Sequence, residues 1–204
     1  GIAIILDVLD EESIGDLPEV LKPKNISTVS ILLVNKDVNK NSMEFKLLQG
    51  AVKEIKQASY VNEVYIASYD ESIATLAGAL WIDRNQSIFN SDNINVEKLL
   101  SLSLKEIESK GFYPGVVLYV NHHYPFRPKK LFNELISDLQ YKGLSSVFPC
   151  FIDYGHYWKV KENEGFLKID NTMDSRTDRN PLMRALYGLG CATSSVEIRR
   201  GDII

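Results

Sequence analysis

The chain has 204 residues, enough for one well-buried domain and short for two. Its net charge of −4 gives no general attraction for nucleic acid or an anionic membrane surface, and 45% hydrophobic with 25% charged residues is ordinary for a folded globular protein. No apolar stretch approaches the ~20 residues that span a bilayer, and IAIILDV near the N-terminus is too short and lacks the basic flank of a signal peptide.

Five apolar runs predict strands: 2–8 (IAIILDV), 29–34 (VSILLV), 64–68 (VYIAS), 116–120 (VVLYV) and 146–152 (SVFPCFI). They are continuous rather than alternating, as in a mostly parallel sheet covered on both faces. Helical periodicity falls between them. Leu48, Ala51, Val52 and Ile55 follow i, i+3, i+4, i+7, and so do Ile73, Leu76, Ala77 and Leu80. Val96, Leu99, Leu100, Leu104 and Ile107 form a third stripe, and Phe132, Leu135, Ile136 and Leu139 a fourth. Strand–helix–strand alternation predicts a single α/β sandwich domain with right-handed crossovers over 1–204. After residue 150 the chain turns rich in Gly, Asp and Arg, with a hairpin-like KENEGFLKI at 161–169. Residues 151–190 therefore read as an excursion that serves function rather than as a second domain. Cys150 and Cys191 lie in apolar surroundings without C-x-x-C spacing, which predicts reduced core thiols and a cytoplasmic protein.

In open α/β sheets ligands bind beyond the carboxyl ends of the strands. Three predicted strand ends carry polar chemistry here. The first run enters DVLDEES, VYIAS enters Tyr69-Asp70-Glu71, and VVLYV enters Asn121-His122-His123-Tyr124-Pro125-Phe126-Arg127. Asp70 precedes a helix and also suits an N-cap. His122 and His123 invite a metal reading, with His156 as a third donor. Neighbours on an extended segment point to opposite sides, however, so no metal site is assigned to them. Arg127 suits phosphate or carboxylate through its planar fork. Arg176, Arg179 and Arg184 gather with Asp174 and Asp178, either as a solvated ion-pair surface or as a clamp on an acidic sugar. Tyr154, Tyr157 and Trp158 fit stacking, a dimer contact or, for Trp158, the core.

QASYVNEVYIASYDESIATLAGAL resembles a signature of the acylneuraminate cytidylyltransferases, the CMP-sialic acid synthetase family, with Ser68-Tyr69-Asp70 in the place of Thr-Asp-Asp. Pro125-Phe126-Arg127 is similar to that family's Pro-Leu-Arg, with Asn121 in the place of Gln. HYWKVKENEGFLKI and SRTDRNPLMRALYGLG resemble its later hairpin and its Arg-rich segment, in the same order, from about residue 47 to 198. The resemblance implies the three-layer α/β/α nucleotidyltransferase-like fold, with a mostly parallel sheet, shared by nucleotide-diphospho-sugar transferases. It implies transfer of CMP from CTP to an acidic sugar such as a sialic acid, with Mg²⁺ if the protein is active, and a homodimer. It places Asp70, Asn121, His123, Arg127, Arg176 and Arg179 around substrate, and Lys22, Lys24 and Asn25 around the nucleotide.

The match departs at the phosphate loop. The loop after the first run carries Asp10, Glu11 and Glu12, whereas phosphate cradles need backbone N–H groups and cations. In an alternative register VSILLVN is the first strand, and KDVNKNSMEF, with Lys36 and Lys40, is the loop. Around Gly190 only Glu197 offers a carboxylate for Mg²⁺, and His123 occupies a region where related enzymes place Asp. No catalytic residue is assigned. These losses leave a second reading: a degenerate paralogue that binds a nucleotide sugar or serves as a partner domain.

Overall fold

A computed structural model describes residues 3–7, 26–35, 38–85, 89, 95–161, 165–169, 175, 178 and 180–201. The strands are β1 (Ala3–Asp7), β2 (Thr28–Leu33), β3 (Glu63–Ser68), β4 (Leu80–Asp83), β5 (Val116–Tyr119), β6 (Ser146–Asp153), β7 (Trp158–Lys161), β8 (Gly165–Lys168), β9 (Leu182–Ala185) and β10 (Cys191–Ser194). The helices are α1 (Met43–Gln57), α2 (Glu71–Ala77), α3 (Val96–Ser109), α4 (Leu131–Lys142) and α5 (Ser195–Arg200).

The main sheet runs β1-β6-β10-β5-β2-β3-β4, with β9 paired to the outer part of β6. β2, β3, β4 and β5 are parallel, and β10 runs antiparallel between β5 and β6. The apolar runs are continuous because both faces of this sheet are covered. Val116, Leu118 and Val120 of β5 and its exit join one core cluster, with Leu48 and Ile55 of α1 and Leu135 and Ile136 of α4. Val117, between them, joins the opposite cluster, with Leu100, Leu104 and Ile107 of α3 and Ile198 of α5. One strand thus feeds two cores, and the three-layer α/β/α expectation holds.

The caps follow local chemistry. The Ser42 side chain accepts from the Phe45 N–H (3.1 Å) and starts α1, and Asn95 does the same for Lys98 (2.9 Å) at α3. Gly78, at φ 78°, ends α2 in the left-handed conformation. The expected helical stripe through Leu80 therefore breaks. Leu80 opens β4 instead, and Leu76 and Leu80 are both exposed rather than on a buried face. Cys150 and Cys191 are buried and unbridged, and burial pushes the Cys191 thiol up to about 11.

Strand order places the two candidate strands of the alternative registers differently. The chain proceeds from β2 outward through β3 to β4, then returns to the other side of β2 with β5. The switch point, where such sheets bind ligands, lies between the carboxyl ends of β2 and β5. β1 sits at the far edge beside β6. VSILLV therefore leads into the switch point, as in the alternative register, while residues 8–25, with the acidic stretch, lie outside the described residues.

Candidate functional site at the β2–β5 switch point

Three side chains converge beyond the β2 and β5 ends. Glu44 comes from the first turn of α1, and His122 and His123 follow β5. Nε2 of His122 lies 3.2 Å from Glu44 Oε1, and Nε2 of His123 lies 3.1 Å from the same oxygen. The two rings are 4.2 Å apart, centroid to centroid.

The expectation that neighbouring histidines diverge is corrected by the backbone. Residues 121–124 form a turn, not an extended segment. The Asn121 side-chain oxygen accepts from the His123 N–H (2.9 Å), and the Asn121 carbonyl accepts from the Tyr124 N–H (3.3 Å). Such an Asx turn curls the chain within two residues, which turns both imidazoles toward Glu44. The turn is tied down from behind, because the Asn121 N–H donates to the Gly188 carbonyl (3.0 Å) in the connection from β9 to β10.

His122 is 2% exposed, and its Nδ1 has no partner among the described residues. Burial holds this imidazole below its ordinary value, although the hydrogen bond to Glu44 opposes that shift. Partial desolvation acts to raise the Glu44 carboxyl, but the hydrogen bonds from the two imidazoles outweigh it and hold the group below the usual range. The cluster is therefore built as a carboxylate with two imidazoles, the buried one neutral.

A pH dependence follows. The unfolded chain protonates His122 near ~6.5, while the folded chain resists. Stability is then lost as pH falls below that value, by up to about 1.4 kcal/mol per pH unit for one proton, and Glu44 adds a further loss in the acid range below its own unfolded value. Urea midpoints measured from pH 7.5 to 5.5 should fall for the wild type and fall less for His122→Asn. Parallel slopes in the two proteins would rule out His122 as the group responsible.

Arg127 does not serve as the free anion fork expected from the sequence. Its side chain is 1% exposed and fully committed. Nε donates to the Leu189 carbonyl (2.9 Å), Nη1 to Glu54 Oε2 (3.1 Å) and Nη2 to the Asn121 carbonyl (2.7 Å). It braces α1, the β5–α4 loop and the β9–β10 connection together. Asn121 likewise acts through the turn it caps. Asp70 is the N-cap of α2, with Oδ1 accepting from the Ser72 N–H (2.8 Å) and Oδ2 lying 3.4 Å from Lys40 Nζ. That ion pair links the loop after β2 to the end of β3, and both groups are well exposed. Arg184 lies on β9 with its guanidinium 5.1 Å from the Phe151 ring centroid. Trp158 is exposed on β7 rather than in the core. Lys22, Lys24, Asn25, Arg176 and Arg179 lie outside the described residues.

Two participants escape a linear reading. Glu44 is 78 residues from His122, and only the strand order brings them together. Arg84 follows β4 in what looks like an ordinary Asp-Arg-Asn turn. It is 7% exposed, donates through Nη1 to the Val34 carbonyl (2.8 Å) and stacks 4.7 Å from the Tyr69 ring. Its Nε has no partner, and no carboxylate pairs with it among the described residues. A buried guanidinium without a counter-ion is costly, and an arriving anion would relieve that cost.

No family model matches this chain, and no curated protein does. Solved structures do. A CMP:2-keto-3-deoxy-manno-octonic acid synthetase, solved with CTP, superposes with a TM-score of 0.58 at 12% identity, over 85% of this chain and 76% of that one. A 4-diphosphocytidyl-2C-methyl-D-erythritol synthase from Anaerococcus prevotii gives 0.60 at 12% identity, over 86% and 73%. A second 4-diphosphocytidyl-2C-methyl-D-erythritol synthase gives 0.59 at 6% identity, over 86% and 78%. The fold is nucleotidyltransferase-like. At these identities the likeness concerns architecture, and what the chain does must be argued from its own site.

Proposed function

We propose that this chain is a cytidylyltransferase-like protein of sugar activation, with its nucleotide seated at the β2–β5 switch point. In that reaction a hydroxyl of an acidic sugar, such as a sialic acid, attacks the α-phosphate of CTP and pyrophosphate leaves. The observation that carries the reading is the gathering of polar side chains from α1, β4 and the β5 exit at the switch point of this fold. Arg84 supplies positive charge beside the end of β2, and Arg127 and Asn121 hold the turn that carries the two histidines in shape.

One observation favours the second reading, a paralogue that binds a nucleotide sugar without turnover. Mg²⁺ needs several hard oxygen ligands. Among the described residues at these strand ends, Asp70 is engaged by Ser72 and Lys40, Asp83 Oδ1 holds Asn85, and Glu44 sits between two imidazoles. This donor set does not fit Mg²⁺.

Isothermal titration separates the readings. Micromolar binding of CTP that requires Mg²⁺ is expected of an active transferase. Heat with CMP-sialic acid but none with CTP is expected of a binding paralogue. Silence with both would end the nucleotide reading.

The β7–β8 hairpin supports self-association as a homodimer. Val160 pairs with Phe166 across the hairpin, and Trp158 shares their face by strand alternation. All three are exposed, Phe166 at 73%. No helix among the described residues is long and apolar enough to cross a membrane.

A further inference from the structure

We propose that Glu44, His122 and His123 form a binding site for one divalent transition-metal ion of the zinc class. The inference goes beyond the nucleotide reading and does not depend on it.

The first argument is geometric. A tetrahedral ion with ligands at ~2.0–2.1 Å requires donor atoms about 3.3 Å apart, and octahedral neighbours about 3.0 Å apart. The two Nε2···Oε1 separations are 3.2 and 3.1 Å, and all three donor atoms lie within 4.8 Å of one another.

The second argument is chemical. Two imidazoles and a carboxylate form a borderline donor set that suits Zn²⁺, Ni²⁺ or Cu²⁺ and disfavours Mg²⁺. Three protein ligands leave a fourth position open to water or a ligand oxygen.

The third argument concerns positioning. The chain has three histidines in all, and two of them are turned onto one carboxylate by a side-chain-capped turn. Glu44 stands in the first turn of a 15-residue helix whose own cap is intact, so its backbone is fixed. A simple hydrogen bond to His122 would not need the second imidazole.

The test uses the tag-free full chain, stripped by dialysis against chelator. ZnCl₂ is titrated calorimetrically, and Co²⁺ is followed by its visible absorption. One equivalent of Zn²⁺ should bind at micromolar or tighter affinity. Binding should weaken at least ~10-fold in His123→Ala and in Glu44→Gln and stay unchanged in His156→Ala, whose site lies outside the trio. His123 is half exposed, so its variant should fold, and circular dichroism checks this. Millimolar Mg²⁺ should not compete. Absence of stoichiometric zinc binding, or binding that survives both substitutions, overturns the proposal. Nucleotide is absent throughout, so failure here leaves the CTP reading standing and the reverse also holds.

Discussion

Arg127→Ala should lower the free energy of unfolding by about 3–5 kcal/mol, the range expected when one partner of a buried, hydrogen-bonded charge pair is removed. The guanidinium reaches three separate segments, and its deletion leaves the Leu189 and Asn121 carbonyls and the Glu54 carboxylate without their donors. Glu54 is about one-third exposed and can recover some hydration, which favours the lower half of that range. Arg127→Lys should recover little, because an ammonium cannot serve three acceptors set in the plane of a fork. Urea denaturation of both variants provides the measurement. A cost below about 1 kcal/mol for the alanine variant would remove Arg127 from its bracing role and reopen it as a substrate ligand.

Gly188→Ala should cost about 1–3 kcal/mol through overpacking. A Cβ at this position would lie 2.2 Å from Tyr124 Cε2 and 2.7 Å from Cδ2, so the ring must move. The ring is exposed and must swing away while the backbone beside it stays held, since the Gly188 carbonyl accepts from the Asn121 N–H and the Asn121 side chain caps the turn carrying both histidines. The double variant Gly188→Ala, Tyr124→Ala should be more stable than the sum of the two single effects predicts. Strict additivity in that double-mutant cycle would show that the two residues do not share the space assigned to them.

Much of the architecture is legible in the residues, because burial on two faces imposes a simple demand. Strands β2, β3, β5 and β6 are apolar at most positions because both faces are covered, and each stands out as a run although β2 also buries Thr28 and Ser30. β4 does not, because Leu80 continues the i+3 and i+4 spacing of the preceding helix. Gly78 is the local signal that the helix ends first. β10 reads Cys-Ala-Thr-Ser, whose small residues give no hydrophobic run although three of its four positions are buried. The site is less legible. The position of Asn121 ahead of two histidines was a clue that the chain turns there, since Asn favours Asx turns. Nothing local points to Glu44 or Arg84. Arg127 shows the reverse problem: its motif suggests a ligand, but only the packed fold reveals that protein groups already occupy every arm of its fork.

The antiparallel strand β10 bears on how this protein is made. Among the described residues it is the only hydrogen-bonded link between β6, with β1 and β9 attached, and the β5-β2-β3-β4 half of the sheet. β10 follows both β5 and β6 in chain order, so both strands must appear during synthesis before that seam can close. Until then both flanking strands present open edges, and an open edge invites pairing with a neighbouring chain. The sheet therefore depends on long-range closure by β10, and the exposed β5 and β6 edges are where a neighbouring chain could pair before it closes.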